Sequence, residues 1–203
     1  MGIEKYVLTG PMRSGKSSLI LSISSKIQIY AMNEVAQYLI DLEKGKPEDE
    51  QIVPWNKFME FQKNVFDMQL KWENEIDERS GYSKAILDRS LIDGLAYLRL
   101  NKQEKSELFK RVYIKASAKE YSQVFMCESI GDEISDAQRK DAEDRKKIED
   151  LLLDTYGILG YSPILIPKCY NSNEIIGLSE DEKKIVKDRA IEKRADLILS
   201  YIK

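Results

Sequence analysis

Short apolar segments alternate along the chain with longer segments in which apolar residues recur at helical spacing. Each short segment is apolar enough for a parallel strand that is buried on both faces. The candidate strands are Ile3–Thr9, Ile27–Ala31, Lys84–Leu87, Gln123–Cys127 and Pro163–Ile166. The segments between them are long enough for crossover helices. This alternation predicts an α/β fold in which helices cover both faces of a five-stranded parallel sheet.

Two charged stretches are interpreted as loops. Residues Glu43–Pro54 contain two prolines, and Ser129–Asp136 precedes a charge-dense helix. We find no internal repeat or low-complexity tract, and a length of 203 residues suits one domain. We therefore interpret residues 1–203 as a single domain.

Composition restricts the class of protein. Hydrophobic residues make up 42% of the chain and charged residues 33%, as in soluble globular proteins. No apolar run approaches the roughly 20 residues that span a bilayer, and no secretory signal opens the chain. We therefore expect a cytoplasmic protein without a membrane partner. The net charge of −3 disfavours a broad nucleic-acid surface, although it is compatible with a local basic patch.

The cysteine and histidine content excludes several chemistries. Cys127 and Cys169 lack the C-x-x-C spacing of zinc and redox sites, and we interpret them as reduced, buried thiols. The chain has no histidine, which excludes Ser-His-Asp and Cys-His nucleophile systems and histidine-ligated metals. A general base must then be a carboxylate or, failing that, a lysine or tyrosine. This restriction suits phosphoryl transfer, where one carboxylate can accept the hydroxyl proton.

The strongest local motif is a phosphate-binding loop. Residues 10–17 read GPMRSGKS, which matches G-x-x-x-x-G-K-[ST], and they lie between a predicted strand and an apolar helical run. Backbone N–H groups of such a loop surround the β-phosphate of a nucleotide. We expect Lys16 to contact the β- and γ-phosphates of ATP and Ser17 to bind Mg²⁺. The predicted nucleotide-binding residues here are Gly10, Arg13, Ser14, Gly15, Lys16, Ser17 and Ser18.

A second motif is an apolar strand that ends in a carboxylate, AILDRS at residues 85–90. Ligands of open parallel sheets bind at the carboxyl ends of the strands, so we expect Asp88 beside the phosphate-binding loop, holding Mg²⁺ or its water. The alternative is an aspartate that caps the next helix. Arg89 follows it, whereas AAA motors usually have a water-activating glutamate there. An arginine suits a phosphoryl acceptor and its developing charge.

The predicted helix Asn56–Asp77 carries a polar stripe. Gln62, Gln69 and Glu73 fall within about 40° on one face of it. They form either a solvated face or a surface that reads a planar ring through paired hydrogen bonds. Candidate stacking partners for such a ring, with core packing as the alternative, are Tyr30, Trp55 and Tyr97.

These motifs, in this order, resemble those of the deoxynucleoside kinases and their P-loop nucleoside and nucleotide kinase relatives. The resemblance is carried by residues 10–17, by Asn33–Val35 after the second strand, by FQKNV at residues 61–65 and by Asp88–Ser90. It extends to the small AAA-like ATP-binding domains related to ribosylnicotinamide kinase, which have counterparts of Asp88, Arg89, Asp93, Tyr97 and Gly160–Pro167. Nearly the whole chain is covered, and the order and spacing of the short motifs carry the comparison.

The resemblance implies a P-loop NTPase fold and a catalytic set of Lys16, Glu34, Asp88 and Arg89. Glu34 takes the part of general base, although a carboxylate at a helix start can also simply favour the helix dipole. The implied substrate-binding residues are Glu34, Trp55, Gln62, Gln69, Arg89, Asp93 and Tyr97. The chain departs from the kinases at Val35, where they have proline, and at Gln69, where some have a base-selecting arginine.

The resemblance also implies a helical lid at about residues 130–158 that closes over the triphosphate. Arg139 and Arg145 are then expected to bind the transferred phosphoryl group. The alternative is an exposed helix with i,i+4 charge pairs such as Asp141 with Arg145. Arg194 in the last helix corresponds to an arginine near the nucleotide in the AAA-like relatives.

The predicted function is transfer of the γ-phosphoryl of ATP, with Mg²⁺, to a nucleoside, nucleotide or ribosylnicotinamide-like small molecule. One alternative is a kinase of a modified nucleotide within a polynucleotide, which the acidic net charge disfavours. Another is an NTP-hydrolysing switch or interaction module. A GTPase of that kind would show Asn-Lys-x-Asp, whereas residues 101–104 read NKQE. The oligomeric state is open between a monomer and a homodimer.

Overall fold

A parallel β-sheet forms the centre of the molecule. The computed structural model describes residues 2–129, 136–170, 174–175 and 177–202, and only the backbone of residues 136–144. Five strands pair in the order β2-β3-β1-β4-β5, and all neighbours are parallel. The strands are β1 (Glu4–Thr9), β2 (Tyr30–Met32), β3 (Lys84–Asp88), β4 (Gln123–Cys127) and β5 (Ile164–Ile166).

Helices cover both faces of this sheet. In the described ranges they are α1 (Lys16–Lys26), α2 (Val35–Glu43), α3 (Phe58–Glu75), α4 (Leu91–Leu100), α5 (Glu107–Ser117), α6 (Asp136–Ile158) and α7 (Glu180–Leu199), with a 3₁₀ turn at Ile76–Glu78. One hydrophobic cluster joins the sheet to α3, α4, α5 and α6, and another joins it to α1 and α7. The predicted α/β fold with a five-stranded parallel sheet is confirmed.

The alternation of side chains along each strand explains the continuous apolar runs. Val7 packs in the first cluster, whereas Tyr6 and Leu8 pack in the second. Because successive side chains point to opposite faces, a strand covered on both sides needs an apolar residue at every position. The runs therefore mark strands that are buried on both faces.

The boundaries of β1, β3 and β5 differ from the sequence prediction by one residue, and those of the second strand and of the helix over residues 56–77 differ by more. The second strand is Tyr30–Met32 instead of Ile27–Ala31, because Ile27 ends α1 and its N–H still bonds to the Ile23 carbonyl. The helix predicted over residues 56–77 is α3, followed by the 3₁₀ turn. The expected loop after α2 is present, whereas residues 130–135 of the second expected loop lie outside the described residues.

Both cysteines are free thiols, but only one is buried. Cys127 lies inside the sheet, where burial raises the pKa of its thiol to about 11. Cys169 is half-buried, so the prediction of two buried thiols was wrong for this residue. No helix in the described ranges combines the length and the apolar character that a transmembrane span requires.

Candidate active site

A cavity of about 700 Å³ opens at the carboxyl ends of the strands, next to the loop between β1 and α1. The starts of α2 and α4 and one face of α3 complete its walls. The structure brings most predicted site residues to this cavity, namely Arg13, Ser14, Gly15, Lys16, Ser17, Ser18, Glu34, Trp55, Gln62, Gln69, Arg89, Asp93 and Tyr97. They come from distant parts of the chain and meet because the strand ends share one edge.

The phosphate-binding loop depends on its first glycine. Gly10 has a φ of 138°, and a Cβ there would lie 2.4 Å from the carbonyl oxygen of Cys127. Only glycine accommodates both constraints. At the other end of the loop, Gly15 adopts a left-handed conformation and begins α1. The helix therefore directs its N-terminal N–H groups into the cavity, where they favour an anion.

Lys16 is buried in this loop, and no carboxylate of the residues that the structure describes is bonded to it. Its ammonium donates to the carbonyl oxygens of Gly10 at 3.3 Å and Pro11 at 3.0 Å and to the Ser14 hydroxyl at 3.2 Å. Burial and then the neighbouring Arg89 charge lower the pKa of Lys16 to about 8. Because these acceptors are neutral, an anionic ligand would relieve the desolvation of the ammonium.

Asp88 pairs with Ser17 across the sheet edge. The Ser17 hydroxyl donates to Asp88 Oδ2 at 2.8 Å, and Asp88 Oδ1 is buried with no hydrogen-bond partner in the described part of the chain. Burial raises the pKa of the Asp88 carboxyl above its ordinary value. The alternative interpretation of Asp88 as a helix cap is excluded, because Ser90 caps α4 in a capping box with Asp93.

The donor set beside the phosphate-binding loop fits Mg²⁺. An unpartnered carboxylate oxygen and an adjacent hydroxyl are hard oxygen ligands, as this ion prefers. Among the described residues there is no group of three or more metal-binding side chains. In nucleotide sites Mg²⁺ takes few protein ligands and completes its shell with phosphate oxygens and water.

Glu34 faces the cavity as a charged carboxylate. It occupies the cap position of α2, yet its side chain makes no capping hydrogen bond. Instead Oε1 accepts a hydrogen bond from Arg89 Nε at 2.9 Å. Burial by itself raises the pKa of Glu34, but Arg89 and Lys16 together hold it below its ordinary value. The side chain is therefore ionised at neutral pH.

Arg89 is the buried centre of the site. Its φ of 73° lies in the left-handed region, which is strained for a residue with a Cβ. Besides Glu34, its guanidinium bonds through Nη1 to the Gly10 carbonyl at 2.9 Å and to Asp93 Oδ1 at 3.3 Å. The ring of Tyr97 lies 5.4 Å from the guanidinium carbon. Arg89 thus ties the phosphate-binding loop to the carboxylate of Glu34.

Asp93 supports Arg89 and is itself nearly saturated with donors. Its Oδ1 also accepts from Thr9 Oγ1 at 2.7 Å, and its Oδ2 accepts from Ser90 N at 3.0 Å and Tyr156 Oη at 2.6 Å. Burial and then Asp93 raise the pKa of Tyr156 well above its ordinary value, so the hydroxyl keeps its proton. Thr9 and Tyr156 belong to no recognisable motif, and sequence reasoning missed both.

The polar stripe on α3 is not a solvated face, since Gln62, Gln69 and Glu73 are all buried. Gln69 Nε2 donates to Glu73 Oε1 at 2.9 Å and to the Arg89 carbonyl at 3.2 Å. Glu73, whose pKa is raised by burial, also accepts from the Leu91 N–H and the Tyr121 hydroxyl. Gln62 lines the cavity without a hydrogen bond to any described residue, so its amide is available to a ligand.

The aromatic candidates lie in different surroundings. Tyr97 lines the cavity beside Arg89, and Trp55 stands at the cavity rim with 70% of its surface exposed. Tyr30 packs against Tyr82 and Arg79 and does not line the cavity. Tyr97 and Trp55 are thus the two that a planar ligand in this cavity can reach.

Three further predicted nucleotide-binding arginines lie on α6 and α7. Arg194 is fully buried and donates through Nη1 to the Ser14 carbonyl at 2.8 Å, so it contacts the phosphate-binding loop from behind. Arg145 is half-buried on α6 and does not line the cavity. The side chains of Arg139 and Asp141 lie outside the described residues. The second half of α6 packs in the core through Ile148, Leu152 and Tyr156.

Comparison with known proteins identifies the family. A family model described as an AAA domain, AAA_28, matches residues 5–172 of the chain. The chain belongs to this AAA-domain family. No curated protein matches it at a significant level.

Solved structures share the fold of this AAA-domain protein. The NadR protein in complex with NR has a TM-score of 0.63 and 13% identity, covering 96% of this chain and 52% of its own. Deoxyadenosine kinase from M. mycoides has a TM-score of 0.57 and 14% identity, covering 98% of both chains. Thymidylate kinase from Ehrlichia chaffeensis has a TM-score of 0.55 and 14% identity, covering 95% of this chain and 98% of its own.

These likenesses establish the fold. The AAA-domain protein has the fold of the P-loop nucleoside and nucleotide kinases, as the motif order predicted, and it spans about half of the NadR chain. At 12–14% identity the likeness does not extend to substrates.

Proposed function

We propose that this AAA-domain protein is an ATP- and Mg²⁺-dependent phosphotransferase that acts on a nucleoside, nucleotide or related small molecule. One observation carries the proposal: the ionised Glu34, bonded to Arg89 at 2.9 Å, shares a cavity with Lys16 of the phosphate-binding loop. A carboxylate so placed can receive the proton of a hydroxyl while the loop holds the phosphoryl donor.

The donor half of the site is the loop and the start of α1. Backbone N–H groups of residues 13–18 and the Lys16 ammonium bind the triphosphate. Ser17 and Asp88 are the residues that would hold Mg²⁺, and Asp88 Oδ1 is the oxygen that no described residue binds. When bound, the ion neutralises charge on the β- and γ-phosphates. Arg194 supports the loop through Ser14, and Arg139 and Arg145 are proposed to approach from α6.

The acceptor half is formed by α2, α3 and the start of α4. Its walls are largely apolar and aromatic, which suits a planar ring between Tyr97 and Trp55. Gln62 offers an amide that can donate to and accept from that ring. The acceptor oxygen attacks the γ-phosphorus, its proton passes to Glu34, and the bond to the β,γ-bridging oxygen breaks to release ADP.

The ligands bound to proteins of similar fold support the proposed division into a donor half and an acceptor half. NadR is known in complex with NR and in a second complex with NAD and AMP-PNP. Deoxyadenosine kinase is known with dATP bound. We therefore assign this protein a nucleotide donor and a nucleoside-like acceptor as ligands.

The test is a transfer assay with γ-labelled ATP, Mg²⁺ and a panel of nucleosides, nucleoside monophosphates, ribosylnicotinamide and oligonucleotides. We expect transfer to at least one small molecule and its loss in Glu34→Gln. The matched control is Glu48→Gln, because Glu48 is an exposed carboxylate that does not line the cavity. Transfer only to oligonucleotides would favour the polynucleotide alternative. ATP hydrolysis without transfer to any panel member would favour a switch and overturn the proposal.

A further inference from the structure

The backbone of Arg89 is held in a strained conformation just beyond β3. Its φ of 73° lies in the left-handed region, and such a residue persists only where surrounding contacts fix it. Its N–H donates to the Leu8 carbonyl at 2.9 Å, which anchors one side of the residue to β1. Rotation to an ordinary φ would then turn the carbonyl and the side chain together by more than about 100°. The guanidinium would thereby move away from Glu34 and Gly10, to which it bonds.

Gln69 on α3 holds the other side of Arg89. Its Nε2 donates to the Arg89 carbonyl at 3.2 Å and to Glu73 Oε1 at 2.9 Å. Both hydrogens of this amide nitrogen are therefore used. A rotation at the φ of Arg89 would break the bond to its carbonyl, so Gln69 opposes the movement that would displace the guanidinium.

Glu73 in turn fixes the amide of Gln69. It lies one helical turn further along α3 and is fully buried, outside the cavity lining. Its Oε1 also accepts from the Leu91 N–H at 3.0 Å, and its Oε2 accepts from the Tyr121 hydroxyl at 2.8 Å. Burial of a carboxylate has a desolvation cost that a well-packed apolar residue avoids. What Glu73 provides, and an apolar residue does not, is a fixed orientation of the Gln69 amide.

We infer that Glu73 and Gln69 are positioning residues for the proposed transfer. Glu73 orients the Gln69 amide. That amide holds Arg89 in the conformation that directs its guanidinium to Glu34. The inference deepens the proposed function and rests on it, because it names what keeps Arg89 in place. Gln69 then acts on Arg89 and does not bind the acceptor ring.

The substitution Gln69→Leu tests the first step in the transfer assay, at a temperature where each variant is folded. We expect kcat to fall about tenfold and the KM values for ATP and acceptor to change less than about twofold. The matched control is Gln28→Leu, because Gln28 is an exposed glutamine that donates to the Gly81 carbonyl and does not line the cavity. A raised acceptor KM with unchanged kcat would overturn the inference and make Gln69 a ring-binding residue. Unchanged kcat and KM would overturn it as well.

Substitutions at Glu73 test the second step. Glu73→Gln keeps an oxygen that can accept from Gln69 and Leu91, and its NH₂ group can donate to the Tyr121 hydroxyl. We therefore expect it to keep kcat within about twofold of the wild type, whereas Glu73→Leu should lose about as much as Gln69→Leu. If Glu73→Leu does not fold, Glu73→Gln beside Gln69→Leu still decides. A folded Glu73→Gln that loses kcat as Gln69→Leu does would overturn the role of Glu73.

An NMR measurement separates this inference from the proposed function. Hydrogen exchange of the Arg89 Nε–H, which donates to Glu34, is followed in the ¹⁵N-labelled protein, and the resonance is assigned by its loss in Arg89→Lys. We expect exchange at least about tenfold faster in Gln69→Leu and near the wild-type rate in Glu73→Gln and Gln28→Leu. Unchanged exchange in Gln69→Leu would overturn the positioning role even in an active kinase. Faster exchange in a protein that transfers to no acceptor would overturn the proposed function and leave the positioning of Arg89 by Gln69 supported.

Discussion

The hydroxyl of Tyr156 donates a hydrogen bond to Asp93 Oδ2 at 2.6 Å. Asp93 in turn bonds to Arg89, and Arg89 bonds to Glu34. Three contacts therefore connect α6, which follows β4 in the chain, to the proposed general base beyond β2. Because each link is buried or partly buried, loss of one should alter the position of the next.

Removal of the Tyr156 hydroxyl should weaken this series of hydrogen bonds between Tyr156 and Glu34. In Tyr156→Phe, Asp93 keeps its bonds to Thr9 and Ser90 but loses a short one, so we expect a loss of about 1 kcal/mol in unfolding free energy. We also expect a lower kcat with a nearly unchanged KM for ATP, since the phosphate-binding loop keeps its own contacts. Chemical denaturation and steady-state kinetics measure the two effects.

The control for Tyr156→Phe is Tyr113→Phe, because Tyr113 is a partly exposed tyrosine on α5. It should leave kcat and stability unchanged. A Tyr156→Phe protein that loses stability yet keeps full kcat would show that the hydroxyl serves folding alone.

Nucleotide binding should weaken above about pH 8. The pKa of Lys16 in the free protein is about 8, lowered by burial, and a bound triphosphate favours the charged form and raises that pKa. Below pH 8 the lysine is already protonated, so affinity should be flat. Above pH 8 binding must take up a proton, and affinity should fall by up to tenfold per pH unit. Calorimetry in buffers of different ionisation enthalpy would detect this uptake, and its absence in the wild-type protein above pH 8 would contradict the account.

The same buried ammonium should cost stability in the free protein. Its folded pKa of about 8 lies below the ordinary 10.5, so the unfolded chain binds more protons between these values. Wild-type stability should therefore rise with pH across that window. At pH 7 the cost is about 3 kcal/mol, and Lys16→Met should be more stable by part of it while losing nucleotide binding. Denaturation at pH 7 and pH 10 measures both changes, and a Lys16→Met protein less stable than wild type at pH 7 would contradict them.

Much of the fold could be predicted from local sequence patterns. Strands buried on both faces leave continuous apolar runs such as residues 84–87, and a loop that surrounds a phosphate needs glycine where Gly10 meets Cys127. Both requirements concern neighbouring residues, so they can be recognised in the amino-acid sequence. The second strand was misplaced because Ile27 is equally apolar as a helix terminus and as a strand residue.

The hydrogen-bond partners within the site could not be predicted from local sequence patterns. Gln62 and Gln69 look alike on the helical face, yet only Gln69 is bound by Glu73 and the Arg89 carbonyl. Tyr156 reaches Asp93 across 63 positions of sequence, and no local pattern encodes such a contact. Partner choice depends on how α3, α4 and α6 pack, which only the assembled fold defines.

Mg²⁺ should stabilise the ATP complex through Asp88. Asp88 Oδ1 is buried and has no partner among the described residues, so a cation ligated there would compensate a desolvated carboxylate. We expect ATP with Mg²⁺ to raise Tm more than ATP with a chelator, and Asp88→Asn to abolish most of that difference. Thermal unfolding at matched nucleotide concentration measures it. Equal Tm gains with and without Mg²⁺ in the wild type would remove Asp88 from the metal site.

Alanine substitution at two glycines should change the stability of the protein in opposite directions. Gly10→Ala places a Cβ 2.4 Å from the Cys127 carbonyl oxygen at a φ of 138°, so we expect a loss of about 2 kcal/mol or more and weakened ATP binding. Gly157→Ala, on α6, meets no atom within 4 Å and should stabilise the protein by about 0.5–1 kcal/mol. Thermal and chemical unfolding of both variants measure the pair. A tolerated Gly10→Ala would mean that the loop can rearrange.

The two glutamines of α3 should separate acceptor recognition from stability. Gln62 has no hydrogen bond to a described residue, so Gln62→Leu removes nothing that holds the fold and should raise the KM for the acceptor about tenfold with unchanged Tm. Gln69→Leu removes one of the donors to Glu73 and the Gln69 hydrogen bond to the Arg89 carbonyl, and should cost about 1–3 kcal/mol of stability. Kinetics and unfolding of the pair provide the comparison. If Gln62→Leu instead lowered Tm as much as Gln69→Leu and left the acceptor KM unchanged, Gln62 would be a structural residue. The planar ring of the acceptor would then have to be recognised by other residues of the cavity.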